Sequence, residues 1–295
     1  MSPPIATPRA RALGFGMKRA RQARNLKVRE LGRLIDVLPQ NISNWESGKR
    51  IPKIEELGTV LGALRVGPAE RARLFNLART ATEPNWLYQA VLDGPAMLAT
   101  YVDHERTATG KLDWSPCLVP GLLQTPAYAR AIFATTDHPQ SHIDNVVMVR
   151  MARRDRLTGR HPLQYQVLMS EAVLRQNIGG PTVMIEQLRH LLSRMRLPHV
   201  SVRIVPNGIG YHPGHYGPFI IFDYADLPSI VYMEHYRGSG YLSDEPNVAD
   251  YRKATRILGS LALSEQDSTD LIQAVLTELR ACTRPKPQSP PVTDP

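Results

Sequence analysis

Apolar residues recur at helical spacing through the first eighty positions of the chain, in short runs that turn-forming residues divide. Leu31 and Ile35 stand four positions apart, and Ile42 and Trp45 stand three apart, so each pair can face one side of a short helix. The same spacing predicts three more helices, over residues 14–25, 53–66 and 69–80. We therefore expect five short helices around one core.

Residues 37–50 have the clearest division between an apolar and a polar face. If the apolar pair faces the core, the other surface carries three side-chain amides, those of Gln40, Asn41 and Asn44. Such amides bond bidentately to the adenine edge in the major groove of DNA. Lys49 and Arg50 follow directly, at a distance from which they could reach phosphates. The pattern predicts a helix that presents amides to bases.

The run from Leu26 to Glu46 resembles the phage-repressor or XRE-type helix-turn-helix, and the spacing of its buried positions matches without a gap. The resemblance covers about residues 13 to 80 and implies that double-stranded DNA is a partner. It implies base contacts from Pro39, Gln40, Asn41 and Asn44, and we predict phosphate contacts from Ser43, Lys49 and Arg50. It also implies a buried pair between Arg21 and Glu46 that anchors the recognition helix.

Three positions depart from the pattern of that family. Lys27 stands where a Ser or Thr N-cap is usual, Val28 replaces a common Gln, and Asp36 replaces the usual glycine of the turn. We expect Asp36 to adopt a left-handed backbone, which Asp tolerates at some cost.

Positive charge is concentrated in the same part of the chain. Residues 1–82 contain 16 Lys and Arg against 6 Asp and Glu, a net charge of +10, whereas residues 83–295 contain 20 against 21, a net charge of −1. A domain that replaces counterions on a polyanion needs such an excess. The alternative is a solvated basic surface that aids solubility, but the coincidence of the positive charge with the helix-turn-helix pattern favours DNA binding.

The change in charge balance also indicates how the chain is organised. We place a boundary at 82/83, where Pro84 ends the helical pattern. The predicted segments are a disordered arm at 1–12, an all-α five-helix domain of the phage-repressor type at 13–82, a C-terminal regulatory or interaction domain at 83–282, and a disordered Pro-rich tail at 283–295.

The second domain combines helical patterns with short β-branched runs. These runs predict strands at 164–169, 200–205, 219–222 and 230–233. Helices are predicted at 86–104 with an interruption at Gly94-Pro95, at 125–133 with Thr125 as the N-cap, and at 141–157, 182–195, 250–263 and 267–281. We expect an α+β domain with a small mixed or mainly antiparallel sheet.

The segment from Trp114 to Ala131, which contains Val119-Pro120-Gly121-Leu122-Leu123-Gln124-Thr125, carries a second resemblance. It is similar to the C-terminal domain that follows XRE-type modules in many actinobacterial regulators, the WhiJ-like group. Further matching pieces extend over most of residues 85–281. The resemblance implies regulation, often beside a small partner protein encoded nearby.

Two clusters in this domain are candidates for binding. The loop at 207–217 supplies Tyr211, His212 and His215, which together with Glu234 form a possible ligand or partner region. Four arginines cluster near the end of the helix predicted at 141–157, namely Arg150, Arg153, Arg154 and Arg156. They could hold a phosphate-bearing ligand or an acidic partner, or they could simply complement the helix dipole.

Signals of catalysis, metal binding and membrane insertion are weak. The chain has no HExxH or CxxC spacing, no GxSxG, no P-loop and no well-placed GxGxxG, so we predict no metal, cofactor or catalytic residue. Cys117 and Cys282 lie far apart, which suits a reducing cytosol. Prolines and glycines interrupt the uncharged runs at 114–129 and 204–222, which argues against a spanning helix.

Three functional interpretations follow. The leading one is a cytoplasmic, sequence-specific DNA-binding transcriptional regulator that acts as a homodimer, with a C-terminal domain that dimerises or senses a ligand or small partner protein. The second is an antitoxin-like scaffold that binds a small protein encoded nearby. The third, an enzyme with a site near the His212 loop, has the least support.

Overall fold

The computed structural model describes residues 7–82, 86–134, 139–235 and 238–283, with only the backbone given for 86–97. The chain forms two compact units. The first consists of the chain up to Leu112 together with Pro218–Arg256, and the second of Asp113–Gly217 together with the chain from Ile257 onward. The predicted boundary at 82/83 stays a prediction about domain organisation.

Five helices open the chain, as the sequence pattern predicts: α1 (Pro8–Ala23), α2 (Val28–Ile35), α3 (Pro39–Glu46), α4 (Ile54–Ala63) and α5 (Pro68–Arg79). Their shared core is apolar and almost fully buried, and includes Leu13, Met17, Leu31, Ile42, Trp45, Leu57, Leu61 and Leu74. Burial of these side chains, rather than the propensity of such short helices, is what stabilises them.

Helix α1 begins earlier than the sequence pattern indicates, so the arm predicted at 1–12 is wrong for residues 8–12. The Thr7 hydroxyl accepts a hydrogen bond from the amide of Ala10 (3.1 Å), and Pro8 occupies the first turn. Arg11 is buried in this added turn. Proline and arginine in a row suggest disorder, but here proline starts a capped helix. Residues 1–6 lie outside the described residues.

The chain then continues through β1 (Trp86–Gln89), α6 (Ala90–Thr107), β2 (Gly110–Ser115), α7 (Pro126–Phe133), α8 (Gln140–Ala152), β3 (Gln164–Ser170), α9 (Pro181–Arg194), β4 (Val200–Val205), β5 (Phe219–Asp223), β6 (Ile230–His235), β7 (Gly238–Leu242), α10 (Glu245–Leu261) and α11 (Glu265–Thr283). The tail beyond Thr283 lies outside the described residues.

The first unit contains an antiparallel arrangement of strands in the order β1, β7, β6, β5. Tyr232 pairs with Ile220 on one side and with Tyr241 on the other. Helix α6 brings Tyr101 against this surface, with its ring centroid 4.9 Å from that of Tyr232 and 5.6 Å from that of Phe222. Aromatic packing of this kind holds helix and strands together.

The second unit contains the parallel pair of β3 and β4, in which Val167 is opposite Val202. Helix α11 is tied to β4 by the Ser268 hydroxyl, which accepts a hydrogen bond from the amide of Ile204 (2.9 Å). Parallel pairs here and antiparallel pairs in the first unit confirm an α+β domain with a mixed sheet.

Several elements differ from the sequence prediction. Residues 86–89 form a strand rather than the start of a helix, and α6 passes without a break through 94–95, where an interruption was expected. Strands β2 and β7 were not predicted, because β7 is largely Gly and Ser and gains its structure from pairing with its neighbours. The helix predicted at 141–157 is divided into α8 and a 3-10 helix at Arg153–Leu157.

The segment of the second resemblance is fixed by a buried glutamine of α9. The Gln187 amide donates to the carbonyl of Leu123 (2.7 Å), and its oxygen accepts from the amide of Thr125 (2.8 Å). Thr125 in turn caps α7 by accepting from the amide of Tyr128 (3.2 Å), as predicted. Gln187 therefore satisfies backbone groups that would otherwise be buried without partners.

Candidate nucleic-acid interface

The tight connection between α2 and α3 depends on two backbone positions. A Cβ on Gly32 would lie 2.6 Å from the carbonyl oxygen of Val37, so only glycine allows this approach. Asp36 has φ of 53°, the left-handed conformation expected for it. Gly32 and Asp36 together allow the chain to turn so that α3 starts at Pro39, three residues after Asp36.

Helix α1 crosses α3 at a second close approach. A Cβ on Gly14 would lie 2.5 Å from the carbonyl oxygen of Trp45, at the last turn of α3. Gly48, with φ of 72°, would place a Cβ 2.9 Å from the amide nitrogen of Arg11. These contacts leave the orientation of α3 little freedom relative to α1.

The pair implied by the resemblance forms between α1 and α3. The Arg21 guanidinium donates to both carboxylate oxygens of Glu46, from Nε at 2.6 Å and from Nη2 at 2.7 Å. It also donates to the carbonyl of Leu26 (2.6 Å). Both side chains are buried, and the hydrogen bond with Glu46 raises the pKa of Arg21. The pair is bidentate, which fixes direction as well as distance.

The opposite side of α3 carries the residues predicted to contact DNA. Pro39, Gln40 and Ser43 are exposed, and Asn41 and Asn44 are half-buried. The amide of Gln40 donates to the side-chain oxygen of Asn44 (3.2 Å), so these two amides are already aligned along one helix face. This arrangement can present donors and acceptors to the edge of a base.

The two basic residues after α3 lie beside this amide surface. Arg50 is exposed and donates to the side-chain oxygen of Asn41 (3.5 Å), whereas Lys49 is half-buried. The structure therefore brings Arg50 to the predicted base-contact surface. The DNA contacts themselves stay predictions.

Two exposed leucines, one on α2 and one directly before α3, were missed by the sequence prediction. Leu38, directly before α3, is 70% exposed, and Leu34 on α2 is 60% exposed. The sequence did carry a signal that Leu34 is exposed, because Leu34 falls outside the stripe formed by Leu31 and Ile35. An apolar side chain beside base-reading amides suits the methyl group of thymine.

Helix α2 has no hydroxyl cap at its start, because Lys27 stands where a Ser or Thr is usual. Instead, the Glu30 carboxylate accepts from the amide of Lys27 (2.7 Å). A negative side chain at a helix N-terminus also complements the helix dipole. Helix α2 is thus capped by its own first turn.

Helix α1 rests on residues that follow the helix-turn-helix in the chain. The buried Arg11 donates to the carbonyl of Pro228 (2.5 Å), and its guanidinium carbon lies 4.3 Å from the ring centroid of Tyr224. Tyr224 is hydrogen-bonded through its hydroxyl to Nδ1 of His104 (3.0 Å). Burial, and then the charge of Arg11, hold the pKa of His104 well below its usual value.

Ion pairing reinforces this support at the next turn of α1. Arg19 forms an ion pair with the buried Asp103 of α6, which also lies 3.3 Å from Arg106. Burial raises the pKa of Asp103 despite these two cations. The ion pair thus joins α6 to α1, and the close approach at Gly14 joins α1 to α3.

A cavity of about 380 Å³ lies between the helix-turn-helix and the end of α6. Its walls include Ser43 and Ser47 near the recognition surface, and Arg106, Thr107 and Leu227 from the later part of the chain. The cavity therefore lies next to Ser43, one of the predicted phosphate contacts.

The histidine loop forms an aromatic cluster in the second unit. Tyr211 and Tyr216 are 74% and 82% exposed, and the rings of His212 and His215 lie 4.1 Å apart. Burial, and then the proximity of His215, lower the pKa of His212. Glu234, which was grouped with this loop, belongs to the first unit. Within the described ranges, no three His, Cys, Asp or Glu side chains come together in a way that could hold a metal ion.

Comparison with known families identifies both parts of the chain. A family described as Helix-turn-helix matches residues 17–71, and a family described as Domain of unknown function (DUF5753) matches residues 98–274, more than half of the chain. No curated protein matches the chain. The resemblance to the WhiJ-like group stays a prediction. Across the part of the chain that the structure describes, no helix is both long enough and apolar enough to span a membrane.

Proposed function

Because the chain belongs to the DUF5753 family and carries a DNA-binding helix-turn-helix in front of that domain, we propose that it is a sequence-specific transcriptional regulator. The observation that carries this proposal is the exposed amide surface of α3, held in place by the buried Arg21–Glu46 pair.

In this proposal α3 lies in the major groove. Gln40 and Asn44 read base edges, Pro39 and Asn41 lie beside them, and Leu38 contacts a thymine methyl group. Phosphates are held by the residues that flank this face, namely Ser43, Lys49 and Arg50. The net charge of +10 on residues 1–82 supports this role, because phosphate contacts release counterions.

The regulator acts as a homodimer in this proposal. One helix-turn-helix offers few contacts, and two of them on half-sites about 34 Å apart provide useful affinity and specificity. The C-terminal domain supplies the dimer surface or senses a ligand or a small partner protein. The packing of α1 on α6 and Tyr224 supports such control, since it couples that domain to the recognition helix.

Fluorescence anisotropy tests the assignment of the recognition helix. The wild-type protein is titrated against the DNA upstream of its own gene and against scrambled DNA at several salt concentrations, together with Gln40→Ala/Asn44→Ala. We expect the variant to lose about 1–3 kcal/mol of discrimination for each lost bidentate contact while keeping salt-sensitive, sequence-blind binding.

The matched control removes amides elsewhere. Gln266 on α11 is exposed and makes the same kind of i, i+4 hydrogen bond, to Asp270 (2.9 Å). Gln266→Ala/Gln273→Ala should bind as the wild type does. If the α3 variant retains full preference for its own DNA, the assignment of α3 is refuted.

A further inference from the structure

Two basic residues of α9 occupy adjacent turns of one helix face. His190 and Arg194 are four positions apart, and both are half-buried. His190 Nε2 and Arg194 Nε are buried atoms that have no hydrogen-bond partner among the described residues. Buried polar atoms in folded proteins are nearly always hydrogen-bonded, so two such nitrogens in adjacent turns point to a hydrogen-bonding group of a bound molecule.

A third basic residue comes from the 3-10 helix at Arg153–Leu157. Arg154 is half-buried, and its described hydrogen bond is a weak one, from Nη1 to the sulfur of Met151 (3.4 Å). Burial lowers the pKa of Arg154, and the neighbouring Arg194 lowers it further, while Asp155 opposes this. The positive charges of Arg154 and Arg194 therefore act unfavourably on each other.

The charges around His190 have the same sign. Burial lowers the pKa of His190 to about 4, and Arg154 and then Arg194 contribute to the shift. Holding two guanidinium groups beside a half-buried imidazole costs free energy unless an anion offsets the repulsion between the guanidinium groups. An acceptor with several oxygens would satisfy both donors and neutralise the cluster, and phosphate fits this description because arginine binds it bidentately.

We propose that Arg154, His190 and Arg194 form a binding site for the phosphate group of a small molecule. This site gives one of the four arginines near the end of the helix predicted at 141–157 a binding role. Two of the others are engaged elsewhere: Arg150 donates to the side-chain oxygen of Gln124 (2.8 Å), and Arg156 to the carbonyl of His161 (3.2 Å). The site is independent of DNA recognition by α3.

The test follows His190 directly by NMR. The imidazole signals of the full-length protein are titrated with pH in inorganic phosphate, in glucose 6-phosphate and in sodium chloride of equal ionic strength. A bound phosphate next to the ring favours its protonated form, so we expect the pKa of His190 to rise by about one to three units relative to chloride. A rise with glucose 6-phosphate supports the proposal, whereas a rise with inorganic phosphate alone indicates a site for the free ion and overturns it.

Variants separate this site from a general effect of anions. Arg194→Gln should abolish the dependence on phosphate, whereas Arg189→Gln, an exposed arginine on the same helix, should retain it. The measurement on the wild-type protein stands by itself if a variant fails to fold. An unchanged pKa of His190 in both phosphate compounds overturns the proposal.

Discussion

The Arg21–Glu46 pair offers the sharpest test of how the recognition helix is held. Both side chains are less than a tenth exposed, and two hydrogen bonds of 2.6 and 2.7 Å join them. Removing one member leaves the other charge buried without its partner, which costs about 3–5 kcal/mol. We therefore expect Arg21→Met and Glu46→Leu each to lower the free energy of unfolding by that amount.

The double variant distinguishes a buried charge from simple loss of packing. When both charges are replaced by apolar side chains of similar volume, no uncompensated charge remains, and the cost falls. Arg21→Met/Glu46→Leu should therefore be destabilised by less than either single variant. Some loss persists because Arg21 also donates to the carbonyl of Leu26.

Urea denaturation followed by circular dichroism measures these free energies, and the double-mutant cycle extracts the interaction term. DNA binding by the double variant would show whether α3 keeps its position without the pair. If each single variant loses less than about 1 kcal/mol, the typical range of an exposed ion pair, the pair does not anchor α3 as argued.

Two further predictions concern the support of the recognition helix. Gly14→Ala should lower the free energy of unfolding by about 1–3 kcal/mol, because its Cβ would meet the carbonyl of Trp45. As a control, Gly62→Ala on α4 has no atom within 4 Å of its Cβ and should be neutral or stabilise the protein by up to about 1 kcal/mol. Equal effects of the two variants in thermal melts would contradict the close approach at Gly14. The pKa of His104 is lower in the folded protein than in the unfolded chain. As the pH falls, the unfolded chain therefore binds a proton at His104 before the folded protein does. The stability that neutral His104 contributes is complete above about pH 6.5 and declines as the pH falls below that value. Urea unfolding between pH 5 and 7 should show this slope, and His104→Phe should reduce it to the part that comes from His190 and His212, whose pKa values are also lowered. A slope in His104→Phe that equals the wild-type slope would exclude His104 as a contributor.

Local sequence determines most of the helix-turn-helix. Periodicity and turn chemistry predict its five helices, the burial of Ile42 and Trp45 and the left-handed backbone at Asp36, because each depends on neighbours within a few positions. The amide surface of α3 follows from the same periodicity, since residues opposite a buried stripe must face outward.

Contacts between residues distant in the sequence required the tertiary structure. Burial of Arg11 depends on Tyr224 and Pro228, more than two hundred positions away, and the sequence pattern around Arg11 therefore indicated a disordered arm. Strand β7 exists because β1 and β6 pair with it, although its glycines do not favour a strand. The unpartnered donors of His190 and Arg194 are likewise visible only when packing shows which polar atoms are buried. Local periodicity decides which residues form a helix, whereas burial and pairing between distant segments decide what that helix rests on.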